Sequence, residues 1–329
     1  MKKILGMGNA LMDVLIELEN DELLHTFNLP KGSMQLIDHQ KAQQIDKATS
    51  HLNKTLTTGG SASNTIHGIA HLGKQCGFIG KVGKDEKGKQ FINDMRLNSI
   101  TPLLIENDSM TGFATAFVSK DGERTFATFL GAAAEMTPDD LSPELFDGYA
   151  IFHIEGYLVQ NHELIKKAVI LAKQKGLKVS LDLASYNVVE ANYDFLHDLV
   201  KNYVNIVFAN EEEAKAFTQA EPEEALEKIA TICEVAVVKI GSQGSWVKRG
   251  NEKHRIHSYP SQRKDTTGAG DMYASGFLYG LANNYPLEIC GKIGSYLSSH
   301  IVAYIGPKFP NLIWRNLLIE VGKIESEIN

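Results

Sequence analysis

Residues 150–184, "AIFHIEGYLVQNHELIKKAVILAKQKGLKVSLDLA", hold two short apolar runs separated by a longer stretch whose apolar residues recur three and four apart. Runs that are apolar at nearly every position describe strands buried on both faces, and the helical recurrence describes an amphipathic helix laid over them. Strand, helix, strand is the unit of a parallel sheet. The same rhythm extends outward through "KKILGMG" at 2–8, "CGFIGKVG" at 76–83, "VNIVFAN" at 204–210, the helical "NEEEAKAFTQ" at 210–219 and "EVAVVKIG" at 234–241. The predicted fold is α/β, a mostly parallel sheet flanked by helices.

Two stretches break the rhythm. Residues 14–37 and 103–130 alternate apolar and polar positions, and the second contains the turn "KDGE", so both read as hairpin. They are expected to pair as a small sheet that covers a ligand at the strand ends of the body. The division is then a body of residues 1–13, 38–102 and 131–329 and a β-sheet lid of 14–37 and 103–130. The lid is also the expected surface for a homodimer.

The chain of 329 residues is 43% apolar and 22% charged with nine prolines, the composition of an ordinary globular protein without low-complexity tracts. A net charge of −7 argues against a nucleic-acid polymer or an anionic membrane as partner, since neither is attracted by that field. No apolar run approaches the ~20 residues that span a bilayer. "MKKILGMGNALMDV" turns to glycine, Asn9 and Asp13 after Leu5, which makes it a first strand and not an export signal. Cys76, Cys233 and Cys290 are widely spaced and form no CxxC pair, as expected of a cytoplasmic, reducing environment without a zinc site.

Three segments invite a phosphate-binding reading. "GMGNAL" at 6–11 has Gly6 and Gly8 but Leu11 where a dinucleotide fingerprint needs its third glycine, and "GKDEKGKQ" at 83–90 has Gln90 where a P-loop needs a hydroxyl for magnesium. The third is "DTTGAGD" at 265–271, which runs directly into "MYASGFLYGLAN". Gly268, Ala269 and Gly270 leave their backbone N–H groups free to converge on an anion at the start of the following helix. Asp271, at the same N-terminus, can take a proton from an attacking hydroxyl while those amides hold phosphoryl charge. A glycine turn with a capping aspartate is the alternative.

A second small-residue cluster, "TTGGSASNTIHGIAHLG" at 57–73, places Gly60 where backbone can approach a ligand and Asn64 where an amide can bind a polyol. A simple helix start would look the same. His67 and His71 share a helix face, but no third metal ligand accompanies them. "NEEE" at 210–213 reads as a solvated acidic helix start or as part of a site.

"GGSASNTIHGIAHLG" and "DTTGAGDMYASGFLYGL" together resemble the two signatures of the ribokinase-like, or PfkB, carbohydrate kinases, in the family's order, and "GMGNALMD" and "FANEEEA" are similar to two further landmarks. The resemblance implies a ribokinase-like fold and an ATP-dependent transfer of a γ-phosphoryl group to a hydroxymethyl group. It implies Asp271 as base, Gly268, Ala269 and Gly270 as anion hole, and Asp13, Gly60 and Asn64 as holders of sugar hydroxyls. Asn210 and Glu213 match an element that organises Mg2+ and phosphate, and Lys239, Gly241, Ser242 and Gly244 fall near ATP. Lys239 departs from the ribokinase pattern. Asp265, Thr267 and Gly306 resemble ligands of a monovalent cation, K+.

Within the family, "GMGNALMDVLIEL" and "TGFATAFVSKDGERTFATFLGAA" look most like bacterial adenosine-kinase-like members. A nucleoside needs an apolar or aromatic shelf for its base, for which Tyr157, Phe129 and Met34 are candidates, though each could instead pack in a core. The runner-up acceptors are a free sugar or a sugar phosphate, the latter requiring Lys31, Lys120 or Arg124 to reach it. A non-catalytic nucleoside-binding protein is the third reading, disfavoured by the intact "GAGD".

Overall fold

The computed structural model describes residues 2–121 and 123–328. Its strands are, in chain order, β1 (Ile4–Met7), β2 (Leu11–Glu17), β3 (Met34–Leu36), β4 (Lys54–Gly59), β5 (Cys76–Gly83), β6 (Ile100–Asn107), β7 (Thr111–Val118), β8 (Arg124–Gly131), β9 (Ile151–Glu155), β10 (Lys178–Asp182), β11 (Ile206–Asn210), β12 (Val235–Lys239), β13 (Ser245–Arg249) and β14 (Glu252–Ile256). A nine-stranded sheet has the order β14-β13-β12-β11-β10-β9-β1-β5-β6, parallel from β12 to β6 and antiparallel at β13 and β14. The opening segment forms its middle: β9 and β10 pair in parallel on either side of the helix His162–Gln174.

The continuous hydrophobicity of these strands follows from burial on both faces. Ile206 and Phe208 of β11 enter one core while Val207 and Ala209 enter another on the opposite face, and β5 is buried at every position.

The second sheet has the order β3-β8-β7-β2-β4. Its β7–β8 hairpin forms as expected, although Gly122 of the predicted "KDGE" turn lies outside the described residues. Two boundaries differ from the sequence reading. Strand β6 pairs with β5 along its whole length as the edge of the large sheet, so residues 103–107 belong to the body. Strand β4, assigned to the body, instead pairs antiparallel with β2 and completes the smaller sheet, which begins at Leu11 rather than residue 14. Part of 14–37 is also helical, at Glu22–Thr26. Alternation marks a half-buried strand without saying which sheet receives it; the "PLLI" run inside β6 was the available sign of a body strand. Met34, Leu36 and Leu56 leave exposed apolar side chains on the smaller sheet.

The helices Ser61–His71 and Ala269–Ala282 lie against one another with their N-terminal turns together. Ser275 Oγ donates to Thr65 O at 2.9 Å and to Asp271 O at 2.7 Å, and Thr65 Oγ1 donates to Asp271 O at 3.3 Å, which ties the two signature segments into one unit.

Candidate active site

The "DTTGAGD" turn starts its helix through Gly268, whose φ of +76° and 2.6 Å approach of a would-be Cβ to Pro307 Cα exclude other residues. Asp271 sits in the first helical turn. Ser61 Oγ donates to its Oδ1 at 2.7 Å and Asn64 Nδ2 to its Oδ2 at 3.0 Å. Burial raises its pKa to about 6, opposed by the bonds from Ser61 and Asn64 and by Lys239, and reinforced by Asp182. At neutral pH the group is ionised, yet it is a far stronger proton acceptor than an ordinary aspartate.

On one side lies a cavity of about 860 Å³ walled by the turn itself with Asn210, Glu213, Lys239 and the Gly241–Gly244 loop. Asp182, at the end of β10, pairs with Lys239 at 2.9 Å. Burial alone would lower the Lys239 pKa, but Asp182 and then Glu213 outweigh it and raise it. Its Nζ is 3.1 Å from where a Cβ on Gly270 would stand, so a fixed positive charge borders the glycine turn. Asn210 and Glu213 cap the helix Glu211–Thr218 reciprocally: Glu213 N donates to Asn210 Oδ1, and Asn210 N to Glu213 Oε2, both at 2.8 Å. The pair is thus at once a helix start and part of the cavity wall. Burial, with Asp182 close by, pushes the Glu213 pKa up.

On the other side, between the two sheets, a cavity of about 1010 Å³ is walled by Met34, Leu36, Gly60, Leu130, Glu155 and Tyr157 among others. Ser61 and Tyr157 border both cavities, so the two meet beside Ser61, whose hydroxyl is bonded to Asp271 on the wall of the first. Gly60 has a φ of +90° and passes so close to Asn9 that a Cβ would stand 2.1 Å from its carbonyl oxygen. Glu155, closing β9, locks this corner: Oε1 accepts from Asn9 N at 2.9 Å and Nδ2 at 2.7 Å, and Oε2 accepts from Ala62 N at 2.9 Å. Burial raises its pKa to about 7.

The remaining acceptor residues are placed differently from expectation. Asn64 is buried and spends its amide on Asp271, leaving Oδ1 without a partner. Asp13 packs against Gly59 rather than on the cavity wall, its pKa raised to about 7 by burial against the pull of Lys308, with Asp271 adding to the rise. Phe129 is not on this cavity. Strand alternation turns Thr128 and Leu130 toward it and Phe129 to the opposite face, onto Phe113 and His39 at ring separations of 5.6 and 5.7 Å. The cavity wall also carries no lysine or arginine among the described residues. Lys31, weighed for a phosphorylated acceptor, is paired with Asp21 and Asp121.

Asp265, Thr267 and Gly306 do converge, but around a guanidinium. Asp265 Oδ1 accepts from Thr267 N at 3.0 Å and Oγ1 at 2.8 Å; Oδ2 accepts from Gly306 N at 2.7 Å and pairs with Arg124 at 2.9 Å. Arg124 also donates to Thr267 Oγ1 at 3.3 Å. These groups do not fit a monovalent cation, because each carboxylate oxygen already has two donors and a full positive charge stands beside it. Nor does any group of three or more His, Cys, Asp or Glu among the described residues form a metal cage. His67 lies 3.0 Å from Asp94, and His71 stacks on Trp314 at 4.6 Å, which is a packing role.

Sequence reasoning missed Asp182, Glu155 and the Arg124 contact. The first two close parallel strands at their C-terminal ends, where such sheets bind ligands, and that position was the signal available. Ser61 lies within the "GGSASN" turn, where a serine looks the same as any other at a helix start.

A family model described as pfkB family carbohydrate kinase matches residues 32–314. The chain is 32% identical to a probable sugar kinase from Rhizobium etli CFN 42, covering 100% of this chain and 99% of that one with a TM-score of 0.87. It is likewise 32% identical to the adenosine kinase of Sinorhizobium meliloti, covering 97% and 99% with a TM-score of 0.86. The adenosine kinase of Saccharomyces cerevisiae is 27% identical, covering 93% of this chain and 96% of that one.

Proposed function

The chain belongs to the pfkB family of carbohydrate kinases and is a sugar or nucleoside kinase; from that premise we propose that its acceptor is adenosine or a related purine nucleoside, phosphorylated by ATP at the 5′-hydroxyl. One observation carries this reading. The acceptor cavity is roomy, has an apolar flank at Met34, Leu36 and Leu130 with Tyr157 at its inner end, and offers no cationic side chain among the described residues. That lining suits a flat, uncharged base on a ribose and not a phosphate. Resemblance to adenosine kinases supports it independently.

In the proposed reaction the acceptor hydroxyl enters beside Ser61 and gives its proton to Asp271. Its oxygen bonds to the γ-phosphorus, the bond to the β,γ-bridging oxygen breaks, and that electron pair leaves with ADP. Ser61 and Asn64 hold the carboxylate in one orientation, so its proton-accepting oxygen needs no reorganisation. The amides of Gly268, Ala269 and Gly270 stabilise charge on the transferring group, and Lys239, kept ionised by Asp182, adds a fixed positive charge beside them. Asn210 and Glu213, on the wall of the donor cavity, are the residues that would hold Mg2+, which when bound would neutralise phosphate charge.

The test is ADP release with Mg-ATP across purine nucleosides, ribose and fructose. Adenosine or a close analogue should show the highest kcat/KM. Ready turnover of ribose or fructose with every purine nucleoside inert would move the assignment to a sugar kinase.

A further inference from the structure

The anion-hole turn is tied down from outside the body. Arg124 opens β8 of the smaller sheet, and its guanidinium reaches Asp265 and Thr267, the first and third residues of "DTTGAGD". Both partners of the pair are shielded, with side-chain exposures of 12% and 5%. We propose that Arg124 supplies internally the positive charge that a monovalent cation would otherwise bring to Asp265, so that the turn is ordered without potassium.

Three physical points support this. An ionised carboxylate offers about four acceptor positions, and those of Asp265 are taken by Thr267 N, Thr267 Oγ1, Gly306 N and Arg124. A second cation within a few ångströms of the guanidinium would meet repulsion in a poorly screened place. Guanidinium is also the cation best suited to a shielded pair, being planar, weakly hydrated and permanently charged. Arg124 is therefore a positioning residue: it touches neither reacting group here and acts through the turn. Since Thr128 and Leu130 of the same strand wall the acceptor cavity, the turn is anchored to the sheet that contacts the acceptor.

The test compares the parent with Arg124→Met, which keeps the stem and removes the charge, in potassium chloride and in tetramethylammonium chloride. Rates should differ less than about twofold between salts in the parent. The variant should lose on the order of tenfold in tetramethylammonium and recover most of it in potassium. Thallium(I), observed directly by NMR, should bind the variant at the turn and leave the parent unbound. Arg124→Lys, with the charge retained, should remain potassium-indifferent. Potassium stimulation or thallium binding in the parent would overturn the proposal, as would a folded Arg124→Met that responds to neither ion. Should Arg124→Met fail to fold, thallium binding to the parent decides the question. The rates rest on the kinase reading, whereas thallium binding does not, so an enzyme that turns over no nucleoside still tests the turn.

Discussion

The two cavities that meet beside Ser61 differ in the cations on their walls. On the donor side a buried cation is fixed in place: Asp182 holds Lys239 ionised at 2.9 Å beside the glycine turn, with the buried Glu213 near the pair. The acceptor wall carries no lysine or arginine among the described residues, and burial lifts its Glu155 to about 7. Asp271, at the boundary, is lifted to about 6. The difference suits the ligands proposed for each side. A polyphosphate needs fixed positive charge, while a neutral polyol needs acceptors, one of them able to take a proton.

Removing the boundary group should have the largest effect. Asp271→Asn keeps the shape but cannot take the proton, and kcat should fall on the order of 10²–10⁴-fold with nucleotide affinity nearly unchanged. In the parent the raised pKa means that Asp271 binds its proton more tightly than an ordinary aspartate, so activity is full only well above about 6 and is lost as pH falls through that value. The acid limb of kcat/KM should therefore bend near 6, and a limb bending near 4 would place the base elsewhere.

The donor-side pair should come next. Lys239→Met should lower kcat on the order of 10²–10³-fold and also destabilise the fold by roughly 3–5 kcal/mol, because Asp182 is left buried without its partner. Adding Asp182→Asn should restore the unfolding free energy, read by denaturant titration, without restoring kcat. A double variant that regained turnover would reduce Lys239 to a structural ion pair.

The acceptor wall should show the smallest effects, and these separate two residues that the sequence treated alike. Tyr157→Ala should raise the KM for a purine nucleoside on the order of tenfold or more, because the base could no longer bury its face against the ring, while leaving a free sugar nearly unaffected. Phe129→Leu should move either KM less than about threefold, since it replaces one apolar core residue with another. Equal effects at the two positions would undo the assignment of the cavity.

Much of the site could be read from local sequence because its central parts are helix starts. The glycine turn ahead of Asp271 and the "GGSASN" turn are continuous segments whose geometry depends on a few successive backbone angles, and small residues betray them. Asp182 and Glu155 were not legible this way. Each ends an apolar strand like several others, and its importance comes from the order of strands in the sheet. The misplacement of Phe129 has a related cause: alternation reveals that a strand has two faces but not which one meets the ligand.

The α/β class, the positions of most strands and the glycine turn that starts the Ala269–Ala282 helix followed from periodicity and short motifs, which are set by local backbone preference and burial of apolar faces. Which sheet receives β4 and β6, and which cation neutralises Asp265, did not. Arg124 and Asp265 lie far apart in sequence and meet because the smaller sheet folds back over the turn. No local pattern encodes such a pairing, since an arginine in a strand and an aspartate before a glycine turn look the same whether or not the chain brings them together.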